Sequence, residues 1–197
     1  MSENLFFKRI SIEQVEEGNE LAPKFDENGL IPCVTTSAKT GEVLMLGYMN
    51  KEALEKTILT GEAHYYSRSR NILWRKGASS GYIQKIKDIR IDDDQDAVWI
   101  KVEMKGDEAS CHVGYRSCFY RSIPVSDDRQ KSEDLIFREE DKVFDPEQVY
   151  GDVPNPTKLY IESTDHNKDF IIIFLTDIDF SIFYTFNKIL QLCKENS

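Results

Sequence analysis

Residues 91–104 read Ile-Asp-Asp-Asp-Gln-Asp-Ala-Val-Trp-Ile-Lys-Val-Glu-Met, an acidic turn running straight into an alternating stretch. Val98, Ile100, Val102 and Met104 alternate with Trp99, Lys101 and Glu103, the two-residue period of a strand with one apolar face and one mixed face. Ile83 to Ile91 is a second strand-like run on the other side of the turn, and His64 to Arg68 a third. Further out, Leu30 to Thr36 and Glu42 to Tyr48 are β-like runs joined by Ala38-Lys39-Thr40-Gly41, a Gly-containing connection of hairpin length. Two helices are expected. Ser11 with Gln14 resembles a capping box opening a short helix that Gly18 ends. Asn50 is an N-cap for a helix through Leu59 with Leu54 and Ile58 on its buried face, closed by Gly61 in a left-handed conformation. Strands joined by short turns, with one or two short helices, argue for an α+β domain built mainly on antiparallel sheet.

The 197 residues fit one ordinary domain with an appendage, and at 40% hydrophobic they can bury a core. The formal net charge of −10 argues against a nucleic-acid partner, because phosphate backbones would repel it. The amino terminus, MSENLFFKRI, carries Glu3 and lacks the apolar stretch of a secretory signal. The most apolar window, Phe170 to Leu175, is interrupted by Asp177 and Asp179, far short of the roughly 20 residues a membrane span needs. A cytoplasmic protein without a membrane partner is expected, and Cys33, Cys111, Cys118 and Cys193 are then thiols or metal ligands rather than a disulfide scaffold.

Charge is unevenly placed. Between His64 and Arg90, Arg68, Arg70, Arg75, Lys76, Lys85, Lys87 and Arg90 stand against Asp88 alone, a net of +6. Such a block in an acidic chain suits a compact anion such as a phosphate, and Ser67, Ser69, Ser79, Ser80 and Gly81 add hydroxyls and amides; a solvated strand face is the alternative. Residues 122–156 hold ten acids against four basic side chains, with Pro124, Pro146, Pro154 and Pro156, and read as a solvated, weakly structured segment. Residues 157–197 carry no assignable motif; a strand at Phe170 to Leu175 and a helix near Phe180 to Leu190 fit their pattern.

Two clusters carry metal chemistry. In extended backbone Asp92, Asp94 and Asp96 point to one face, and three carboxylates so spaced repel unless a cation such as Mg²⁺ joins them; a solvated acidic turn is the alternative. An EF-hand fails, because Ala97 stands where Gly is needed and a strand pattern follows. Cys111-His112-Val113-Gly114-Tyr115-Arg116-Ser117-Cys118 offers two thiols and an imidazole to zinc, or else two buried thiols.

Gly47-Tyr48-Met49-Asn50, Gly61-Glu62-Ala63-His64-Tyr65-Tyr66-Ser67-Arg68-Ser69-Arg70, Leu73-Trp74-Arg75-Lys76-Gly77, Ser80-Gly81 with Gln84-Lys85, the Asp cluster and Ser117-Cys118-Phe119-Tyr120-Arg121 together resemble the phosphoribosyl-AMP cyclohydrolase family, in consistent order from about Leu30 to Arg121. The resemblance implies a catalytic domain over residues 1–121, a homodimer with metal sites at the subunit interface, and a zinc- and magnesium-dependent hydrolase of histidine biosynthesis. Its reaction opens the purine ring of N1-(5-phosphoribosyl)-AMP at the N1–C6 bond. Carried over, it implies Mg²⁺ on Asp92, Asp94 and Asp96 and zinc on Cys111 and Cys118. The family's third zinc thiolate falls where this chain has Asp93, so the third ligand is either the Asp93 carboxylate or His112. Tyr82 is a second departure, where the family often shows His or Asn. His112 and then His64 are the candidates for moving the proton. Arg68, Arg70, Arg75, Lys76 and Ser80 are candidate substrate contacts, with Trp74 stacked on a base or packed in the core. The competing reading is a non-catalytic nucleotide-phosphate binding module with a degraded zinc site.

Overall fold

In the computed structural model, residues 5–78, 80–104, 109–125 and 134–151 are described. The chain divides into two compact units, Met1–Val153 and Pro154–Ser197; the strand and helix expected near residues 170–175 and 180–190 lie outside the described residues. The elements of the first unit are α1 (Ile12–Glu16), β1 (Leu30–Ser37), β2 (Val43–Asn50), α2 (Lys51–Thr60), β3 (His64–Ser67), β4 (Ile72–Arg75), β5 (Gln84–Ile91), β6 (Val98–Met104), β7 (Arg121–Ser122), β8 (Ile136–Phe137) and α3 (Pro146–Tyr150). The architecture is α+β.

The alternation in residues 98–104 is realised side chain by side chain. Val98, Ile100, Val102 and Met104 are buried while Trp99 and Glu103 face out, and each buried apolar side chain supplies about 1.5–3 kcal/mol. A four-stranded sheet in the order β2-β1-β6-β5 forms around them, with β1–β2 and β5–β6 antiparallel. The β1–β6 pair is parallel, Cys33 opposite Val98 and Ser37 opposite Val102, because the chain returns through α2 and the separate β3–β4 hairpin before entering β5.

α2 covers the sheet. Asn50 Oδ1 accepts from Ala53 N at 2.8 Å, and Gly61 at φ 68° closes the helix, its N–H donating to Thr57 O. Ala53, Leu54 and Thr57 are buried against the core, with Ile58 at its margin. α1 departs from a complete capping box: Ser11 Oγ accepts from Gln14 N, but Gln14 Oε1 reaches Ile10 N instead of the cap residue's own N–H.

Residues 134–151 differ from the weak structure that their acids and prolines suggest. β8 pairs with β7, Arg121 opposite Phe137. α3 starts at Pro146 with Asp145 Oδ1 accepting from Glu147 N. Pro at the first helical position and Asp at the cap are favourable there, so residues that read as breakers mark a helix start. Among the described residues no helix is long and apolar enough to cross a membrane.

Candidate functional site

The β5–β6 turn assembles the carboxylates. Asp92 N–H donates to Ala97 O, Gln95 N–H donates to Asp92 O, and Gln95 takes a left-handed φ of 59°. Asp92 Oδ1 accepts from both Asp96 N and Ala97 N at 2.9 Å. Asp92, Asp94 and Asp96 can each direct one carboxylate oxygen to within 4.8 Å of the others, spacing and hardness that suit a divalent cation. Lys24 lies against this trio, Nζ at 3.4 Å from Asp94 and 3.2 Å from Asp96, and the two carboxylates raise its pKa. Buried Gln95 fastens the turn to the amino-terminal segment, accepting from Ala22 N and donating to Val15 O and Glu20 O.

The cysteine loop is the second centre. Cys111 is buried, Cys118 exposed, and no disulfide joins them. The two thiols hydrogen-bond to each other: Cys118 donates to Cys111, whose pKa falls to about 6, while that of Cys118 rises. Lys76 contributes to the lowering, since its charge lies near both sulfurs. Lys76 itself is buried, Nζ donating to Ser110 O at 2.6 Å, and burial lowers its pKa. A thiolate–thiol pair beside an ammonium group is a donor set suited to a soft divalent metal such as zinc. Within one chain, among the described residues, neither Asp93 nor His112 joins the cysteines as a three-ligand set within 4.8 Å. Asp93 is exposed on the turn and His112 half-buried.

His64 is buried on β3, its Nδ1 2.8 Å from Glu62 O. A carbonyl only accepts, so Nδ1 carries the proton and, in the neutral ring, Nε2 holds the lone pair. The basic block divides. Arg68 lies over the Tyr48 ring at 3.9 Å, and Arg70 Nε donates to Ser67 Oγ. Arg75 pairs with Glu62 across 3.1 Å, whereas Lys76 lies inward with the thiols and so stands apart from the exposed arginines. Lys87 pairs with Glu103 and Arg90 with Asp88, on the outer face of β5–β6. That face is the solvated one. Trp74 packs on Tyr65 with ring centroids 5.2 Å apart, and Ser80 Oγ accepts from Tyr82 N.

Residue-by-residue reading missed a buried polar chain. Tyr65 O–H donates to Gln84 Oε1 at 2.7 Å and hydrogen-bonds Thr35 Oγ1 at 2.8 Å; Gln84 Nε2 donates to Ser110 Oγ at 3.0 Å. It runs from the sheet to the residue beside Cys111. Tyr65 needs Gly47, where a Cβ would come within 2.6 Å of its ring. One signal was available: Gln84 occupies the same strand parity as Ile86 in β5, and a polar side chain on a buried parity requires partners.

The model of the phosphoribosyl-AMP cyclohydrolase family matches residues 45–120. The phosphoribosyl-AMP cyclohydrolase of Bradyrhizobium diazoefficiens is 54% identical over 137 residues, 70% of this chain and 94% of that protein. Those of Rhodopseudomonas palustris and Nitrobacter hamburgensis are 53% and 52% identical over 140 and 136 residues, covering 71% and 69% of this chain and 92% and 90% of theirs.

Proposed function

Since the chain belongs to the phosphoribosyl-AMP cyclohydrolase family, we propose that it hydrolyses the N1–C6 bond of N1-(5-phosphoribosyl)-AMP in histidine biosynthesis, as a metal-dependent hydrolase acting on a cyclic amidine. The observation that carries this reading is the 54% identity to the phosphoribosyl-AMP cyclohydrolase of Bradyrhizobium diazoefficiens over 70% of this chain, with the free thiols Cys111 and Cys118 inside the residues that the family model matches.

Cys111 and Cys118 would hold zinc, and Asp92, Asp94 and Asp96 magnesium. When bound, zinc supplies a water acidic enough to deliver hydroxide near neutral pH. The third zinc ligand comes from a partner subunit in a homodimer; among the described residues of one chain, no further His, Cys, Asp or Glu completes a three-ligand set with Cys111 and Cys118. Water oxygen adds to C6 and the C6–N1 bond breaks; C6 becomes a carboxamide carbon, and N1 keeps its phosphoribosyl group as an amidine nitrogen. His112, next to Cys111, takes the proton from water and returns one to N1. His64 is second in that role, since Glu62 O fixes the tautomer that leaves Nε2 able to accept.

Arg68 and Arg70 hold the substrate's phosphates, with Ser80 as a further substrate contact. The stack on Tyr48 orients the Arg68 guanidinium as a planar fork. Lys76 acts on the thiols instead, favouring the thiolate that zinc requires. Trp74 shapes the wall behind Tyr65.

Purified protein assayed for zinc content and for phosphoribosyl-AMP turnover, with and without chelator, tests the proposal. The expected result is bound zinc, activity lost to chelator and restored by Zn²⁺ with Mg²⁺. Protein that binds the nucleotide yet shows no turnover in either metal would establish the binding-module reading in its place.

A further inference from the structure

The loop between the two cysteines is tied on three sides. It closes on itself through Ser110 N–H to Arg116 O, Cys111 N–H to Tyr115 O and Gly114 N–H to Cys111 O. It is bound to the edge of β2, where Ser117 Oγ donates to Val43 O and Cys118 N–H donates to Leu44 O at 2.7 Å. On the third side stands one carboxylate from outside the family-model match. Glu139 accepts from Arg116 N at 3.0 Å on one oxygen and from Ser117 N at 3.2 Å on the other. Both amides lie immediately before Cys118.

We propose that Glu139 is a positioning residue that sets the Cys111–Cys118 loop in its metal-binding geometry. Successive N–H groups pointing outward need an acceptor for each, and a carboxylate spans two at once. Its placement is built. Arg138 N–H donates to Tyr120 O at 2.8 Å just before it, and Val143 N–H donates to Gly114 O at 2.8 Å just after. The approach is close at Gly114, where a Cβ would lie 2.4 Å from Phe144 O. Phe144 stacks on Tyr82 with centroids 5.2 Å apart. The segment after β8 is therefore a brace laid across the cysteine loop, and Glu139 is the point where it grips the backbone.

The metal-binding part of this inference rests on the zinc reading above; the loop-setting part does not. In reduced, metal-free full-length protein, brief N-ethylmaleimide labelling read peptide by peptide reports each thiol separately. Cys111 is 4% exposed and rests on the loop, whereas Cys33 is 0% exposed in the core and serves as the control for general unfolding. Hydrogen bonds to a charged group are worth about tenfold or more each in an equilibrium. Glu139→Ala removes two such bonds and should raise Cys111 labelling at least about tenfold with Cys33 unchanged, and weaken zinc, measured by competition with a chromophoric chelator, to at least the same extent. Glu139→Gln keeps one acceptor oxygen and should recover part of both. Wild-type labelling of Cys111 in Glu139→Ala, or Cys33 rising in step with Cys111, would overturn the inference. Were wild-type protein to bind no zinc, the zinc reading would fail while the labelling comparison still decided the role of Glu139.

Discussion

Removing the Tyr65 hydroxyl tests whether the buried polar chain holds the sheet to the cysteine loop. Tyr65→Phe keeps the ring, so packing against Trp74 and over Gly47 survives. What is lost is the 2.7 Å bond to Gln84 Oε1 and the 2.8 Å bond to Thr35 Oγ1. Burial pushes the pKa of this phenol well above its usual value, so the group is a neutral donor at every working pH and its removal changes no charge. Stranding a buried acceptor costs about 1–3 kcal/mol, and in a domain of this size each kcal/mol moves Tm by about 2–4 °C. Tyr65→Phe should therefore lose about 2 kcal/mol in urea denaturation, with the denaturant slope unchanged. Gln84→Met alone strands the Ser110 hydroxyl, which loses its donor Gln84 Nε2, and removes half of the Tyr65 pairing. Combined with Tyr65→Phe it leaves fewer unpaired groups than the two singles together, so the double-mutant cycle should show coupling of about 0.5–3 kcal/mol. Additivity within about 0.5 kcal/mol would refute the chain as a unit.

Three other outcomes are expected. Asp93→Cys should tighten zinc at least tenfold in a chelator competition, since a thiolate replaces an oxygen on a borderline-soft metal; unchanged affinity would point to His112 or to no third ligand. Lys24→Met removes the ammonium group lying 3.2 Å from Asp96, so Mg²⁺ binding by calorimetry should strengthen, more at low salt than at high salt. A gain independent of salt would contradict the charge argument. Arg68→Ala should raise KM for phosphoribosyl-AMP about tenfold with kcat little changed, the pattern of lost uniform binding. A fall in kcat at constant KM would move Arg68 from holding the phosphate to assisting the reacting ring.

Much of the site was legible because it is local in sequence. Asp92, Asp94 and Asp96 lie within five residues and Cys111 and Cys118 flank a single loop, so spacing finds them without knowledge of the fold; the extended backbone expected for the Asp run is instead a turn, and it is the turn that brings the three carboxylates together. The four positions of β6 that bury were readable for the same reason, as were Asn50 and Gly61 at the ends of α2. Charge counting went astray over Lys76. It sits in a run of basic residues yet turns inward to Ser110 O, and a sum along the chain has no way to separate a surface cation from a buried one. Residues 134–151 were read as solvated from acids and prolines, whereas Asp145 and Pro146 start a helix and Glu139 caps two amides.

What the sequence by itself determined is everything set within a few residues: the strand periods, the helix caps, the acidic turn, the paired cysteines and, through six ordered blocks, the family. Tertiary structure alone decided the parallel pairing of β1 with β6, the Lys24 ammonium beside the Asp trio, the Tyr65–Gln84–Ser110 chain and the Glu139 brace. These contacts join residues 19 to 72 apart. Their partners are chosen by which surfaces the folded sheet brings together, a choice made by burial and by the need to satisfy every buried polar group across the whole unit.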